Sequence, residues 1–394
     1  MISNGSFART PEQEERLRLI GKAADEMKLG AHETDLANGF SHRHIELLRE
    51  IGYPGWTVPK EYGGAEISLY EFLLYQERLA QGDPAIALGM GWHLSVVFEL
   101  AVRRLWSDTA LERVFRSAVA GGLTNRANSE KATGSPSRGG QYQTKAKRSA
   151  QGGYVLNGRK TFTTLSPVLD TAIVGVKLEE EGEHADFLIP MSAPGVSVDP
   201  TWNVMGMRGT GSHDLVLDNV ELPADALVFR ASQKVGPTVN PYLLHIPACY
   251  LGIALAARSE AISFAESYQP NTLDRPILYA PNIGQQIAAI DLELSAARHY
   301  MYSAAARYEE SDGDPSYWLA ELGAVKVFAV QTALSVVDKA LRIAGAHGLA
   351  QTHPLQRLYR DVRFGLSNPP MEDSVMRLLH QRAILEVERE NQLT

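Results

Sequence analysis

The sequence predicts an α+β protein, mainly helical. It divides into an N-terminal helical domain (residues 1–120), a central antiparallel β-domain (121–230) and a C-terminal helical bundle (231–394). Three observations lead there. Apolar residues recur at steps of three and four in both end segments, while short β-rich runs crowd the middle. A chain of 394 residues also exceeds one ordinary core.

The first segment opens with "PEQEERLRLIGKAADEMK", a proline and acids ahead of spaced apolar residues, which is a helix start. "SLYEFLLYQERLAQGD" and "PAIALGMGWHLSVVFELAVRRLW" continue the helical pattern. Between them, "IGYPGWTVPKEYGGAE" reads as a Gly/Pro-rich loop. In the middle segment, "GGYVLNGRKTFTT", "DTAIVGVKL", "ADFLIPM", "GVSVDP" and "HDLVLDNVELP" are strand candidates punctuated by Gly, Pro and Asp. In the last segment, "AELGAVKVFAVQTALSVVDKALRIAGAHG" carries two apolar stripes. One runs through Leu322, Val325, Ala329, Ala333, Val336, Ala340 and Ile343, and the other through Val327, Val330, Leu334, Val337, Leu341 and Ala344. A helix apolar on both sides belongs in a bundle core or between subunits. Ile287, Ile290, Leu294, Ala297, Met301 and Ala304 mark a second amphipathic helix.

Net charge is -8, without a long run of one sign, so no nucleic-acid partner is expected. The single cysteine, Cys249, lies in an apolar run and reads as a buried, inert thiol. The first twenty residues lack the apolar core of a signal peptide. "YLLHIPACYLGIALAA" is short for a membrane span and carries His245 and Pro247. These features lead us to expect a cytoplasmic protein without a membrane partner.

Few motifs carry chemistry by themselves. "GMRGTGSHD" precedes a strand rather than a helix and lacks GxGxxG spacing, so a turn is expected instead of a phosphate loop. No GxSxG elbow is present. His42 and His44, two apart, would not share a helix face, and no metal site is expected. His93, in "GMGWHLSVV", is a candidate acid/base because imidazole titrates near neutral pH.

Several ordered stretches resemble the acyl-CoA dehydrogenase family. "NSEKATGSP" is similar to its "TEPxAGSD" loop, and "GGYVLNGRKTFTT" to the strand pair ending in "WITN". "MGMRGTGSHDLVLDNVELP" is similar to "GxRxSxxxxLxFDxVxVP", and "ALRIAGAHGLAQTHPLQRLYRD" to "ALQxxGGxGYxxxxPxERxxRD". The resemblance implies a C-terminal four-helix bundle, a homotetramer or dimer, and bound FAD, with FMN as an alternative. It places Ser129, Phe162 and Thr164 at the flavin ring, with Arg342, Gly345 and Ser374 as further cofactor contacts. Ser135 is placed at the substrate's pantetheine arm. An aromatic plane with hydroxyls at its edge suits a flat ring with a polar rim. An arginine that many relatives use on the partner's pyrophosphate is lacking near Asn271, where only Arg275 lies close. Arg342 is the replacement expected for it.

The resemblance also implies α,β-dehydrogenation of an acyl-CoA, passing electrons to an electron-transfer flavoprotein or oxygen. That reaction needs a carboxylate base. In "GLSNPPMEDSV", Pro370 occupies the usual glutamate place, and the other family position falls near Tyr242. Glu372, and after it Asp373, are the base candidates if the paired prolines re-aim the loop. Otherwise these acids favour the start of the last helix. Flavin monooxygenases of the same fold are the alternative. "LSNPP" resembles their "LHDP" loop with Asn368 in the histidine place, and Ser166 would face the ring. A flavin-binding member without turnover is the third.

Overall fold

The computed structural model describes residues 7–133, 140–233, 239–311 and 315–393. The chain begins with five helices, α1 (Pro11–Leu36), α2 (His42–Glu50), α3 (Leu69–Leu79), α4 (Pro84–Arg103) and α5 (Asp108–Val119). Their starts follow the sequence chemistry. Thr10 caps α1, with Pro11 at its first position. Ser68 and Glu71 satisfy each other's backbone amides in a capping box at α3. The Asp83 carboxylate accepts from the Ala85 and Ile86 amides at 3.0 and 3.2 Å and starts α4.

Eight strands form one sheet: β1 (Thr124–Ala127), β2 (Lys145–Arg148), β3 (Tyr154–Thr163), β4 (Thr171–Leu178), β5 (His184–Pro190), β6 (Val196–Asp199), β7 (His213–Leu222) and β8 (Leu227–Arg230). Their order is β6-β7-β3-β2-β4-β5-β8, with β1 beside β4. The expected antiparallel pairing needs one correction. β4 runs parallel to both β1 and β2. Those two strands are four residues each and polar, so nothing in their pattern announced them.

The chain then returns to helix with α6 (His245–Ser267), α7 (Pro281–Glu309), α8 (Pro315–Ala344), α9 (Pro354–Val362) and α10 (Glu372–Leu393). Packed against α6, α7, α9 and α10, α8 sits at the bundle's centre. Both of its apolar stripes are therefore buried within one chain, Val327 alone being partly exposed. Long, apolar α4 and α8 could cross a membrane on length and composition. Yet 72% and 78% of their most apolar windows are buried in the fold, as in core helices.

One hydrophobic core unites the first and last helical segments. A second fills the sheet's inner face, and a third joins α4 and α5 to its outer face. A buried ion pair reinforces the first core. Arg298 of α7 donates to both Glu77 oxygens of α3 at 2.9 and 2.8 Å, and neither side chain is exposed. Cys249 is buried in this core, and burial pushes its thiol pKa well up.

Candidate functional site

The end of β3 departs from regular strand geometry. Between Lys160 and Thr163 one extra residue is inserted relative to β7, a bulge that re-aims the side chains it carries. Phe162, within it, has φ 56° and is 62% exposed; Leu165 has φ 64°. Non-glycine residues in the left-handed region are uncommon, and clusters of them mark functional turns. Asn125 donates to the Thr164 carbonyl at 3.1 Å, and the Leu165 amide to the Thr210 carbonyl at 2.9 Å. Ser166 donates inward to the Gly211 carbonyl at 2.7 Å and is buried, so its hydroxyl is already engaged.

The facing turn comes from "GMRGTGSHD", which is a tight helical turn (Arg208–Thr210) leading into β7. Gly211 has φ 54°, and a Cβ there would lie 2.8 Å from Phe40 and 2.9 Å from Pro167, so this position requires glycine. The turn brings Ser212 and Thr210 to the β3 end. Thr164 Oγ1 lies 2.9 Å from Ser212 Oγ, which lies 2.8 Å from Thr210 Oγ1. Thr210 donates its one hydroxyl proton to the Met207 carbonyl at 3.0 Å. Each hydroxyl has a single proton, so with Thr210 donating there Ser212 can donate to Thr210, and Thr164 to Ser212. Thr164 Oγ1 is then left as an acceptor towards anything docked against it.

Ser129 lies beside this turn, its carbonyl accepting from the Thr161 amide at 2.8 Å. Its loop is pinned by Glu130, which accepts from the Gln143 and Thr144 amides, from Thr144 Oγ1 and, at 2.6 Å, from Lys160 Nζ. Burial alone would raise the Glu130 carboxyl, but Lys160 and these donors hold it below its ordinary value. Burial draws Lys160 down to about 8, against the pull of Glu130. Ser135 lies outside the described residues.

The wall beyond Phe162 is aromatic. Phe162 meets Trp202 edge to face at 5.8 Å between centroids, and Trp202 meets Phe364 at 6.0 Å. Asn368, of the "GLSNPP" loop, donates to the Tyr250 hydroxyl at 2.6 Å and to the Phe364 carbonyl at 3.2 Å. Among the described residues the Thr164 and Ser212 side chains bond hydroxyls and Phe162 meets an aromatic ring, with no carboxylate bonded to them. An exposed aromatic plane, a half-buried acceptor and two buried hydroxyls without protein partners, on Thr161 and Thr163, together fit a flat ring with a polar rim.

Other candidates are placed elsewhere. Glu372 stands exposed in the first turn of α10 and accepts from Gln331 of α8 at 3.1 Å. Its carboxylate is engaged on the bundle, and among the described residues no hydrogen bond or ion pair joins it to the β3 turn. Asp373 shares that exposed first turn, and Ser374 is half-buried there, next to Val375, which packs on Gly323. The acid/base reading of His93 is corrected. The ring is fully buried, Nδ1 accepts the Thr124 amide at 3.0 Å, and Nε2 lies 3.0 Å from the Pro54 carbonyl. Burial also lowers its pKa, so the neutral ring clamps α4 to β1 and has no free atom for proton transfer. The position near Tyr242 is no base either, since that phenol is buried and stacked on Phe98 at 4.2 Å, and burial raises its pKa. Arg342 is exposed near the end of α8 and makes none of the ion pairs recorded among the described residues. Gly345, at φ 59°, ends that helix in the left-handed conformation favoured by glycine.

Sequence models of three acyl-CoA dehydrogenase domains match the chain: the N-terminal domain over residues 10–121, the middle domain over 126–220 and the C-terminal domain over 244–367. The chain belongs to the acyl-CoA dehydrogenase family. A putative acyl-CoA dehydrogenase of Bacillus subtilis (strain 168), YdbM, is 45% identical over 96% of this chain and 98% of its own. Among solved structures, KijD3 in complex with FMN and a dTDP-linked amino keto sugar superposes with TM-score 0.83. It is 25% identical over 96% of this chain and 95% of its own. Butyryl-CoA dehydrogenase from Megasphaera elsdenii has the same TM-score at 21% identity, over 96% and 99% of the two chains, and shares the fold. As an acyl-CoA dehydrogenase family member, the protein is a flavoprotein-type oxidoreductase.

Ser129, Phe162 and Thr164, which the family resemblance implies at the ring, lie together at the end of β3. Sequence reasoning missed Trp202, Thr210 and Ser212. The hydroxyls of "GTGS" are the available signal, in a stretch whose glycines point only to a turn.

Proposed function

We propose that the protein is a flavin-dependent monooxygenase of small aromatic or sulfur-bearing compounds. The observation that carries this reading is the chain of hydroxyls from Thr210 through Ser212 to Thr164, which can leave Thr164 Oγ1 as an acceptor, with no carboxylate bonded to it among the described residues. An acceptor suits the N–H edge of a reduced ring, whereas removal of an α-proton needs a carboxylate facing the substrate, and the candidate for it, Glu372, is engaged by Gln331. When bound, the reduced flavin supplies two electrons to dioxygen, one oxygen atom passing to the substrate and the other leaving as water.

The chain's own residues do the rest. Phe162 supplies the plane on which the ring packs, and Ser129 and Thr164 supply hydroxyls at its rim. Trp202 and Phe364 form an aromatic wall beside it. Asn368, held by Tyr250, offers its amide oxygen to a substrate. FAD and FMN share this ring site. Arg342, exposed and without an ion pair among the described residues, would meet the pyrophosphate of FAD.

A second reading, dehydrogenation of an acyl-CoA, is favoured by the domain matches and by the name of the Bacillus relative. It requires Glu372 to leave Gln331. One experiment separates the two. The flavin-loaded protein is mixed anaerobically with a panel of acyl-CoA esters, and in parallel its reduced form is mixed with oxygen and aromatic or thioether compounds. The proposal expects no bleaching by any ester, and a hydroxylated or sulfoxide product in the second arm. Bleaching by an ester, abolished in Glu372→Gln, would establish the second reading instead.

A further inference from the structure

Asp361 lies on α9, away from the end of β3, yet it holds the facing turn by that turn's backbone. Its buried carboxylate accepts the Met207 amide at 2.5 Å. Met207 has φ 51°, a conformation that a non-glycine residue keeps only when its surroundings impose it. The carbonyl of the same residue accepts from Thr210 Oγ1 at 3.0 Å and from the Trp202 indole N–H at 3.2 Å. Both ring-side features, the hydroxyl chain and the aromatic wall, therefore begin at Met207. The loop has no slack beside it. A Cβ on Gly206 would lie 2.5 Å from the Arg360 carbonyl oxygen, so the loop rests directly on α9.

We propose that Asp361 is a positioning residue for the flavin site, fixing Met207 so that the hydroxyl chain points its acceptor end outward at Thr164 and Trp202 is seated on Phe162. This rests on the flavin reading above. A polar side chain that accepts in the same place should suffice, because the role needs an oxygen at one point.

The test compares Asp361→Ala, Asp361→Asn and the wild type by amide hydrogen exchange and by titration with FAD and FMN, following the absorption spectrum of the bound flavin. In Asp361→Ala the Met207 and Thr210 amides should exchange at least about tenfold faster. The flavin dissociation constant should rise about tenfold, the loss expected for one hydrogen bond to a charged group. The visible bands of the bound flavin should also shift, which a general loss of stability would not cause. Asp361→Asn, whose Oδ1 still accepts, should restore affinity and spectrum. Wild-type affinity and spectrum in a folded Asp361→Ala protein would overturn the proposal. If that variant does not fold, Gly206→Ala displaces the same loop without touching a charge, and a wild-type spectrum there would overturn it equally. If the wild type binds no flavin, the flavin reading fails. Exchange at Met207 and Thr210 still decides the role of Asp361, and unchanged rates would end it.

Discussion

His245 shows what a single residue contributes when nothing answers it. It begins α6, is fully buried, and neither ring nitrogen has a partner among the described residues. Its neighbours are the rings of Trp92, at 4.8 Å, and Phe72. Burial lowers its pKa to about 3, so the folded protein keeps it neutral. Between that value and the ordinary imidazole range near 6.5, the unfolded chain takes up a proton that the folded chain refuses. Stability is therefore present above about pH 6.5 and is lost as pH falls towards 3. His245→Phe should remove this share of the acid sensitivity and, by sparing an unsatisfied polar group, stabilise the fold by about 1–3 kcal/mol at neutral pH. Urea unfolding of both proteins at pH 7 and pH 5 checks it, and parallel losses would refute it. Phe162 and Thr164 were legible because they close a recognisable strand stretch. Trp202, Ser212 and Asp361 were not, because their roles arise only when segments distant in sequence meet at Met207. Nor could the sequence show that His93 spends both nitrogens on backbone groups from two other segments.

At the scale of elements, long helices were readable from their apolar stripes and caps, because those signals are local. The short strands β1, β2 and β8 were not, since four residues scarcely show a period. Contacts between elements were wholly hidden, and the Glu77–Arg298 pair is the clearest case. Glu77 of α3 receives both guanidinium bonds and the Tyr302 hydroxyl at 3.1 Å, joining the first helical segment to the last. Glu77→Ala would leave the Arg298 charge buried without a partner, a loss worth about 3–5 kcal/mol. The midpoint of thermal unfolding should fall by several degrees or more. The double variant Glu77→Leu with Arg298→Met should recover much of that loss, because it removes both charges together. A single Glu77→Ala variant as stable as the wild type would show that the pair is dispensable.

For the whole molecule, the helix–sheet–helix order was legible, but it conceals that the two helical segments, separated in sequence by the sheet, pack directly into one core. The molecule is also left with a helix that a single chain does not cover. Among the described side chains of α10 only Val375 is buried, while Met376, Ile384, Leu385 and Val387 are 50%, 44%, 47% and 56% exposed. A helix this poor in buried contacts gains little from its own chain, since most helical stability comes from packing. Leu292 on α7, 73% exposed, and Phe328 on α8, 45% exposed, add apolar surface to the outer faces of the bundle. We propose that these surfaces meet a second copy of the chain, which would make the protein a homo-oligomer. Sedimentation velocity at micromolar concentration should then give a dimer or tetramer. Ile384→Asp combined with Val387→Asp, two exposed positions whose change leaves the monomer's core intact, should weaken association at least about tenfold, a cost of about 1.4 kcal/mol or more. Circular dichroism would check that the double variant keeps its helical content apart from fraying of α10. A wild-type protein that sediments as a monomer would rule out this packing, and an oligomer indifferent to both aspartates would place its interface on another face.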